Sequence, residues 1–339
     1  MIIYCPRYNP PNLIYSVTLN QIQSPIANEM HAVDAVIRQS LHSEVGLINT
    51  IGDHIISSAG KRLRPALVLL SSGLFGHIGQ QQHQLAAIIE FIHTATLLHD
   101  DVVDESQMRR GNSTANHVYG NAASVLVGDF LYSRAFQMMV TLQNMRVMEI
   151  LSEATNTIAE GEVLQLLNLH NANVTEEAYL KVIHYKTAKL FEAAAKLGAV
   201  ISPISNKTDE DALGLYGMRL GTAFQLVDDV LDLNRNQEKI GKNLGDDLAE
   251  GKPTMPLLYA MRQSNEAQSQ IIRKAIEEGG LDDIKAVLAA VSATNAAEYV
   301  LDVAKKEAQL ACDAIAHFAP STYKTAMIEL TKFAVSRQF

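Results

Sequence analysis

The spacing of apolar residues along this chain is helical almost throughout, and the alternating pattern of β-strands is scarce. Val33, Ile37 and Leu41, for example, fall on one face of an α-helix. The same periodicity predicts helices over 28–59, 64–76, 83–107, 122–143, 146–168, 175–199, 208–235, 254–263, 266–278, 281–292, 295–317 and 321–336. No low-complexity linker separates them. The pattern therefore predicts one all-α domain, a single bundle of long helices around a central cavity.

The start of the chain shows no such periodicity, so we expect an irregular N-terminal arm over 1–27 and one folded domain over 28–339. The two cysteines, Cys5 and Cys312, are far apart in sequence and do not suggest a disulfide framework. That usage favours a reduced, cytoplasmic setting. Neither a signal peptide nor a membrane span is predicted.

The chain is acidic, with a net charge of −9 at pH 7. This charge argues against a nucleic-acid partner held through its phosphates. An acidic protein that binds an anionic substrate needs metal ions or local clusters of basic residues, because its overall field repels the ligand. The sequence contains candidates for both.

Two aspartate clusters share the spacing Asp-Asp-x-x-Asp, and each ends a strongly apolar helical stretch. The clusters consist of Asp100, Asp101 and Asp104, and of Asp228, Asp229 and Asp232. On a helix, the first and last aspartates of a cluster lie on nearly the same face. Like charges near a helix C-terminus repel one another, so this arrangement is favourable only where cations bind. Carboxylates at this density suit Mg²⁺, which shares phosphate oxygens with its substrate, and Mn²⁺ could replace it.

A single cluster of this kind is more commonly a solvated surface patch, and calcium binding is a further alternative. The glycine-containing loop of an EF-hand is absent, however. Two identical clusters favour a functional site, because six carboxylates line one cavity mouth if the two helices face each other. Asp246 and Asp247 form a further acidic pair. A place in a solvated loop and a role in supporting a metal site are equally open interpretations of this pair.

Basic residues are concentrated near these segments. The segment GKRLRP places Lys61, Arg62 and Arg64 at the start of a helix, where free backbone N–H groups also attract anions. Other basic residues that we single out are Arg109, Arg110, Lys186, Lys242 and Lys252. His93 shares a helical face with Asp100. It could therefore contact a phosphate group, or it could be a core histidine whose hydrogen bonds are made within the protein. Any one of these is more commonly a solvated charge, but together they indicate a site for phosphate groups.

These motifs, in this order, resemble those of the trans-prenyltransferases, also called polyprenyl diphosphate synthases. The resemblance runs from about residue 30 to 335 and rests on GKRLRP, LLHDDVVDESQMRRG, GDFLYSRAFQMM, YKTAKLF, GTAFQLVDDVLDL and GKNLGDDLAEGKPTMPLLYA. Within the family, the chain is most similar to the bacterial octaprenyl diphosphate synthases, which supply quinone side chains. The resemblance implies the isoprenoid synthase fold, a homodimer, and an enzyme that adds isopentenyl diphosphate repeatedly to an allylic diphosphate such as farnesyl diphosphate.

The resemblance also implies a role for each matching residue. The six aspartates would hold about three Mg²⁺ ions on the allylic diphosphate. The basic residues on that diphosphate would be Arg109, Lys186, Lys242 and Lys252. Isopentenyl diphosphate would be bound by Lys61, Arg64, His93 and Arg110. Thr187 and Gln225 would lie near the reacting carbons, and the catalytic set would be Asp100, Asp101, Asp104, Arg109, Lys186, Thr187, Gln225, Asp228 and Lys242.

Product length depends on where the growing chain extends. If it extends along the helix that carries Asp100, Ala95 and Thr96 form the first constriction. Both are small, so the sequence predicts a long product. The candidates for the floor of the tunnel are Phe136, Met138 and Met139, although ordinary core packing explains the same apolar stripe.

Three other interpretations compete with a long-chain synthase. A non-catalytic regulatory subunit would lack an aspartate cluster or the basic residues, and this chain has both. A terpene cyclase would need no isopentenyl site, which the GKRLRP segment and His93 argue against. A shorter-chain synthase has the same motifs, so product analysis must distinguish it.

Overall fold

The computed structural model describes residues 18–57, 60–109, 111–234 and 245–337. Its helices are α1 (Leu19–Gln23), α2 (Ala27–Leu41), α3 (Gly46–Ser57), α4 (Leu63–Gly73), α5 (Gln80–Val103), α6 (Ala115–Tyr119), α7 (Asn121–Thr141), α8 (Met145–Asn168), α9 (Glu176–Ile183), α10 (Lys189–Val200), α11 (Lys207–Asn234), α12 (Asp246–Ala249), α13 (Met255–Gln263), α14 (Glu266–Glu278), α15 (Ile284–Ala293), α16 (Ala296–Ala314) and α17 (Thr322–Ser336). A 3₁₀ turn (Ser24–Ile26) precedes α2, and a π-helical segment (His184–Ala188) joins α9 to α10. The strands β1 (Met108–Arg109) and β2 (Asn112–Ser113) pair antiparallel as a short hairpin.

The all-α prediction is confirmed, and most helix boundaries agree with the predicted ones to within a few residues. The helix predicted over 28–59 is instead two helices, α2 and α3. The break is stabilised by Asn49, whose Oδ1 accepts the backbone N–H of Ser43 at 2.9 Å and whose Nδ2 donates to the Ser43 carbonyl at 2.7 Å. Such hydrogen bonds from a side chain to the backbone compete with helix formation. No proline marks this break in the sequence, so the apolar spacing alone did not reveal it.

The expectation of an irregular arm over 1–27 is wrong for its described part. Thr18 caps α1, because its Oγ1 accepts the backbone N–H of Gln21 at 3.4 Å and its own N–H donates to the Gln21 side chain at 2.8 Å. Ile22 and Ile26 are 2% and 0% exposed. This segment therefore packs into the main core, and the missed signal was the Thr-x-x-Gln capping box.

The two helices that carry the aspartate clusters, α5 and α11, form the centre of the bundle. Helix α5 packs against α4 and α7, whereas α11 lies between α10 and α16. Their inward faces are fully buried aliphatic residues such as Ile88, Ile92 and Leu226. Burying each such side chain contributes about 1.5–3 kcal/mol, so the apolar faces orient both helices and hence both clusters.

A close approach between backbones positions the π-helical segment. A Cβ atom at Gly161 of α8 would lie 2.6 Å from the backbone nitrogen of Lys186. Only glycine therefore allows α8 to pack this tightly against the segment. The π-helical turn shifts the helical register by one residue, and such turns are common at functional sites.

Among the described residues, no single helix is long and apolar enough to cross a membrane. Helices α15 and α16 reach that length and composition only as a pair, which is bent by 63°. Helix α16 packs along α11, and Val287 of α15 is fully buried.

Candidate active site

A cavity of about 750 Å³ lies between α5 and α11. Most of the candidate residues from the sequence contribute to its wall: Lys61, Arg64, His93, Thr96, Asp100, Asp104, Arg109, Lys186, Thr187, Gln225, Asp228, Asp229, Asp232 and Lys252. The two aspartate clusters thus face one shared space, as the pairing of the motifs predicts.

The first aspartate cluster ends α5, and its members differ in their partners. Asp101 is 4% exposed and accepts two bonds on Oδ1, from Nε and Nη2 of Arg109, both at 2.7 Å. The β-hairpin that follows α5 returns Arg109 to this position. Asp104 contacts the Nζ of Lys252 at 3.2 Å, and Asp100 lies 3.7 Å from the Nζ of Lys186. Asp100 and Asp104 therefore face the cavity, and Asp101 holds Arg109 at its edge.

The second cluster is built similarly on α11. Asp228 accepts a hydrogen bond from Nη1 of Arg337 at 2.8 Å. Asp229 is 4% exposed and accepts bonds from the hydroxyl of Tyr179 and, at 2.8 Å, from Nε2 of Gln225. Burial raises the pKa of Asp229 well above its usual range, and the nearby charge of Asp247 adds to this effect.

Thr187 and Gln225 are linked to the second cluster by one chain of hydrogen bonds. The hydroxyl of Thr187 donates to Oε1 of Gln225 at 3.1 Å, and the amide of Gln225 donates in turn to Asp229. Tyr179 completes the chain from the opposite side of that carboxylate. These bonds fix the orientation of the Gln225 amide.

Lys186 lies on the π-helical segment between two carboxylates. Its Nζ donates to Glu162 at 2.5 Å and lies near Asp100. Burial alone would lower the pKa of Lys186, but the charges of Asp100 and Glu162 outweigh it and the pKa is raised. Burial, together with repulsion from Asp100, raises the pKa of Glu162 to about 7. Lys186 thus stays charged on the cavity wall.

Lys252 is a second lysine of the cavity wall that lies among carboxylates. It contacts Asp104, Asp247 and Glu250. Burial opposes its charge, but Asp247 and Asp104 raise the pKa of Lys252 well above its usual range. Asp247, whose role the sequence left open, therefore supports the site: its backbone N–H also donates to Asp232 at 3.3 Å.

A second basic group lies elsewhere on the same cavity wall. Nη1 of Arg64 donates to Nε2 of His93 at 3.1 Å, and the Arg64 guanidinium lies 4.4 Å above the Phe191 ring. Lys61 is 5.4 Å from the centre of the Phe333 ring. The cavity therefore combines a carboxylate-rich part with a separate basic part.

Comparison with known proteins identifies the family. The polyprenyl synthetase family model matches residues 45–293. The chain belongs to the polyprenyl synthetase family. It is 50% identical over 322 residues to the octaprenyl diphosphate synthase of Escherichia coli, covering 95% of this chain and 99% of that protein. The octaprenyl diphosphate synthase of Haemophilus influenzae is 48% identical over 324 residues, with 95% and 98% covered.

Solved structures of polyprenyl synthases share the fold. A Caulobacter crescentus polyprenyl synthase, in complex with calcium and isoprenyl diphosphate, has a TM-score of 0.91 and 42% identity, covering 96% of this chain and 99% of that one. A decaprenyl diphosphate synthase from Rhodobacter capsulatus has a TM-score of 0.87 and 42% identity, with 94% and 98% covered. The prediction of an all-α trans-prenyltransferase is thereby confirmed.

The donor set of this polyprenyl synthetase fits a divalent metal bound together with a substrate. Among the described residues, no three acidic, His or Cys side chains are already grouped for metal ligation. Asp100, Asp104 and Asp228 each contact a basic side chain. Mg²⁺ takes few ligands from the protein and the rest from phosphate and water. Carboxylate oxygens on two sides of one cavity therefore fit without forming a complete cage.

The chain-length residues of this polyprenyl synthetase have different surroundings. Thr96 forms part of the cavity wall, whereas the neighbouring Ala95 is 0% exposed and lies in the core. Phe136, Met138 and Met139 lie on α7 in that core and are not among the lining residues. Their role in product length stays a prediction, and core packing explains their burial.

Several contributors to this site among the described residues were missed from the sequence. Glu162, Tyr179 and Arg337 all line the cavity and contact predicted site residues. None belongs to a spacing pattern, and each comes from an element remote in sequence from its partner. Arg110 and Lys242, by contrast, lie outside the described residues.

Proposed function

We propose that this chain condenses isopentenyl diphosphate repeatedly onto an allylic diphosphate, most simply farnesyl diphosphate, to make a long all-trans polyprenyl diphosphate. The observation that carries this proposal is one cavity with two kinds of anion site. Two aspartate clusters with Lys186 and Lys252 suit a metal-bound diphosphate, whereas Lys61, Arg64 and His93 suit a diphosphate bound without metal. An enzyme that joins two diphosphate substrates needs both.

The aspartate clusters and the basic residues beside them would bind the allylic diphosphate. Asp100, Asp104 and Asp228 are the metal ligands that we favour, because their side chains are 15–32% exposed, whereas Asp101, Asp229 and Asp232 are only 4–6% exposed. When bound, about three Mg²⁺ ions would supply positive charge that stabilises the leaving diphosphate.

Basic side chains would share in stabilising the leaving group. Lys186 and Lys252 stay charged although they are largely buried, and burial strengthens their interaction with developing negative charge. Arg109, held by Asp101, would contact the same diphosphate with its remaining N–H groups. These charges are in place before reaction, so little reorganisation accompanies breaking of the allylic C–O bond.

The carbocation formed by that cleavage would be protected by the cavity wall. Phe191 and Phe224 lie on it, and Thr187 and Gln225 are fixed nearby by hydrogen bonds. Isopentenyl diphosphate, held by Lys61, Arg64 and His93, would place its double bond against the cation. The proton lost afterwards would go to the departing diphosphate.

Octaprenyl diphosphate is the product that we favour, with a role in supplying quinone side chains. The support is the similarity to two octaprenyl diphosphate synthases at about half identity. The small residues Ala95 and Thr96 are consistent with a long product. A cytoplasmic location stays a prediction.

We also propose that the enzyme is a homodimer. Large apolar side chains are exposed on two neighbouring helices, α7 and α8: Leu126 (67%), Val140 (63%), Met145 (73%), Val163 (55%) and Leu167 (72%). Helical spacing places Leu126 and Val140 on one face of α7, and Met145 and Val163 on one face of α8. A second copy covering these faces would bury them. Light scattering should give twice the mass of 37.1 kDa, and Leu126→Glu with Leu167→Glu should give the monomer.

The proposed activity is tested by incubating the purified protein with farnesyl diphosphate, labelled isopentenyl diphosphate and Mg²⁺, and sizing the products. A ladder that ends at the octaprenyl length, and that chelator or Asp100→Ala abolishes, is the expected result. A short product would support the proposed reaction and contradict the proposed product length. No incorporation would reject the synthase and favour a regulatory subunit.

A further inference from the structure

Arg62 lies between two proposed substrate-binding residues but has a different environment. Its side chain is 12% exposed, and the residue forms part of the cavity wall. Nη1 lies 2.6 Å from Oδ1 of Asp34 on α2, and Nε lies 3.9 Å from Oε1 of Glu90 on α5. Two carboxylates from two helices therefore neutralise this guanidinium, which sets it apart from a phosphate ligand.

The backbone of Arg62 is also unusual. Its φ of 46° and ψ of 42° are left-handed, and it precedes the first residue of α4. Its carbonyl accepts the N–H of Ala66 at 3.2 Å, the first bond of the helix. A residue with a Cβ is strained in this conformation and keeps it only where contacts with its surroundings hold it there. The contacts with α2 and α5 are the side-chain interactions that hold it there.

The same turn determines where the two neighbouring basic residues lie. Gln23 donates to the Lys61 carbonyl at 3.1 Å, and Arg64 donates to His93 on α5. Glu90 and His93 are one turn apart on α5, so this helix contacts both arginines of the segment. Lys61 and Arg64 consequently both reach the cavity wall.

We propose that Arg62 is a positioning residue for isopentenyl diphosphate. It anchors the left-handed turn to α2 and α5, and thereby holds Lys61 and Arg64 at the spacing that a diphosphate requires. This inference rests on the proposed function, and Arg62 acts through its neighbours without touching the substrate.

The decisive variant is Arg62→Gly, because glycine adopts the left-handed conformation freely and only the side-chain anchor is lost. We expect KM for isopentenyl diphosphate to rise about tenfold, as when groups that orient a substrate shift slightly, with KM for farnesyl diphosphate nearly unchanged. Asp34→Asn removes one partner at a carboxylate that is 45% exposed, and should change the same KM by less. Arg38→Ala, at an exposed arginine of α2, is the matched control.

The outcomes separate this inference from the proposed function. A wild-type protein that incorporates no isopentenyl diphosphate contradicts the function itself. An active wild type with an unchanged KM for isopentenyl diphosphate in Arg62→Gly contradicts the positioning role. A rise in both KM values together with a fall in kcat and in melting temperature would also contradict it, since that pattern indicates general destabilisation. If the glycine variant does not fold, Asp34→Asn decides by the same KM comparison.

Discussion

Arg337 and Asp228 are 109 residues apart in sequence, yet Nη1 of the arginine donates to Oδ1 of the aspartate at 2.8 Å. The Arg337 side chain is 4% exposed, and its guanidinium lies 3.6 Å from the centre of the Phe224 ring. It also donates to the carbonyls of Phe224 and Ala334. The residue that follows α17 therefore forms part of the site on α11.

Arg337→Met should lower both stability and activity. The methionine leaves a carboxylate and a buried carbonyl without this donor, which should cost about 1–3 kcal/mol of unfolding free energy. Activity should fall because Asp228 is no longer oriented. Denaturant unfolding and steady-state kinetics measure the two effects. Lys332→Met, at an exposed cation of α17, is the control, and equal behaviour of the two variants would contradict the role of Arg337.

Tyr179→Phe should lower kcat on the order of tenfold, as is usual when a hydrogen-bond partner just outside a metal site is removed. The hydroxyl is one of two donors to Asp229, and that carboxylate also orients Gln225. Tyr259→Phe, at a tyrosine stacked on Tyr299, is the matched control. A kcat in Tyr179→Phe that equals that of the control would show that the bond is dispensable.

Glu162→Gln should stabilise the metal-free protein progressively as pH rises. The pKa of Glu162 in the folded state is about 7, above its usual value, so the folded state binds the extra proton. The contribution of Glu162 to the free energy of unfolding is therefore fully present below the pKa of the unfolded state, and it is lost as pH rises through about 7. Melting temperatures in chelator at pH 5 and pH 8 test this; the advantage of the variant should be larger at pH 8. Glu160→Gln, at an exposed residue of α8, should show no such trend.

Ala95→Phe should shorten the product to farnesyl or geranylgeranyl length if the chain grows along α5. Because Ala95 is fully buried, the larger ring also risks overpacking the core. Thr96→Phe avoids this problem, since Thr96 lies on the cavity wall. Product sizing by chromatography measures both. Octaprenyl chains from a well-folded Thr96→Phe enzyme would reject this path for the growing chain.

Local sequence patterns predicted much of this protein. Apolar spacing with a period of 3.6 residues is a property of each segment alone, so the long helices could be located without knowledge of their packing. The aspartate clusters needed only their spacing and the apolar helices before them. Both clusters and most of the basic residues indeed line one cavity.

Only the tertiary structure decided how each charge is paired. Arg337, Tyr179 and Glu162 meet their partners because α17, α9 and α8 pack around α5 and α11, and no local spacing encodes that packing. The same packing leaves Asp101, Asp229 and Asp232 only 4–6% exposed, whereas the side chains of Asp100, Asp104 and Asp228 stay 15–32% exposed. Periodicity acts over one or two turns of a helix, whereas ion pairs join residues that are brought together only when the apolar faces of separate helices are buried.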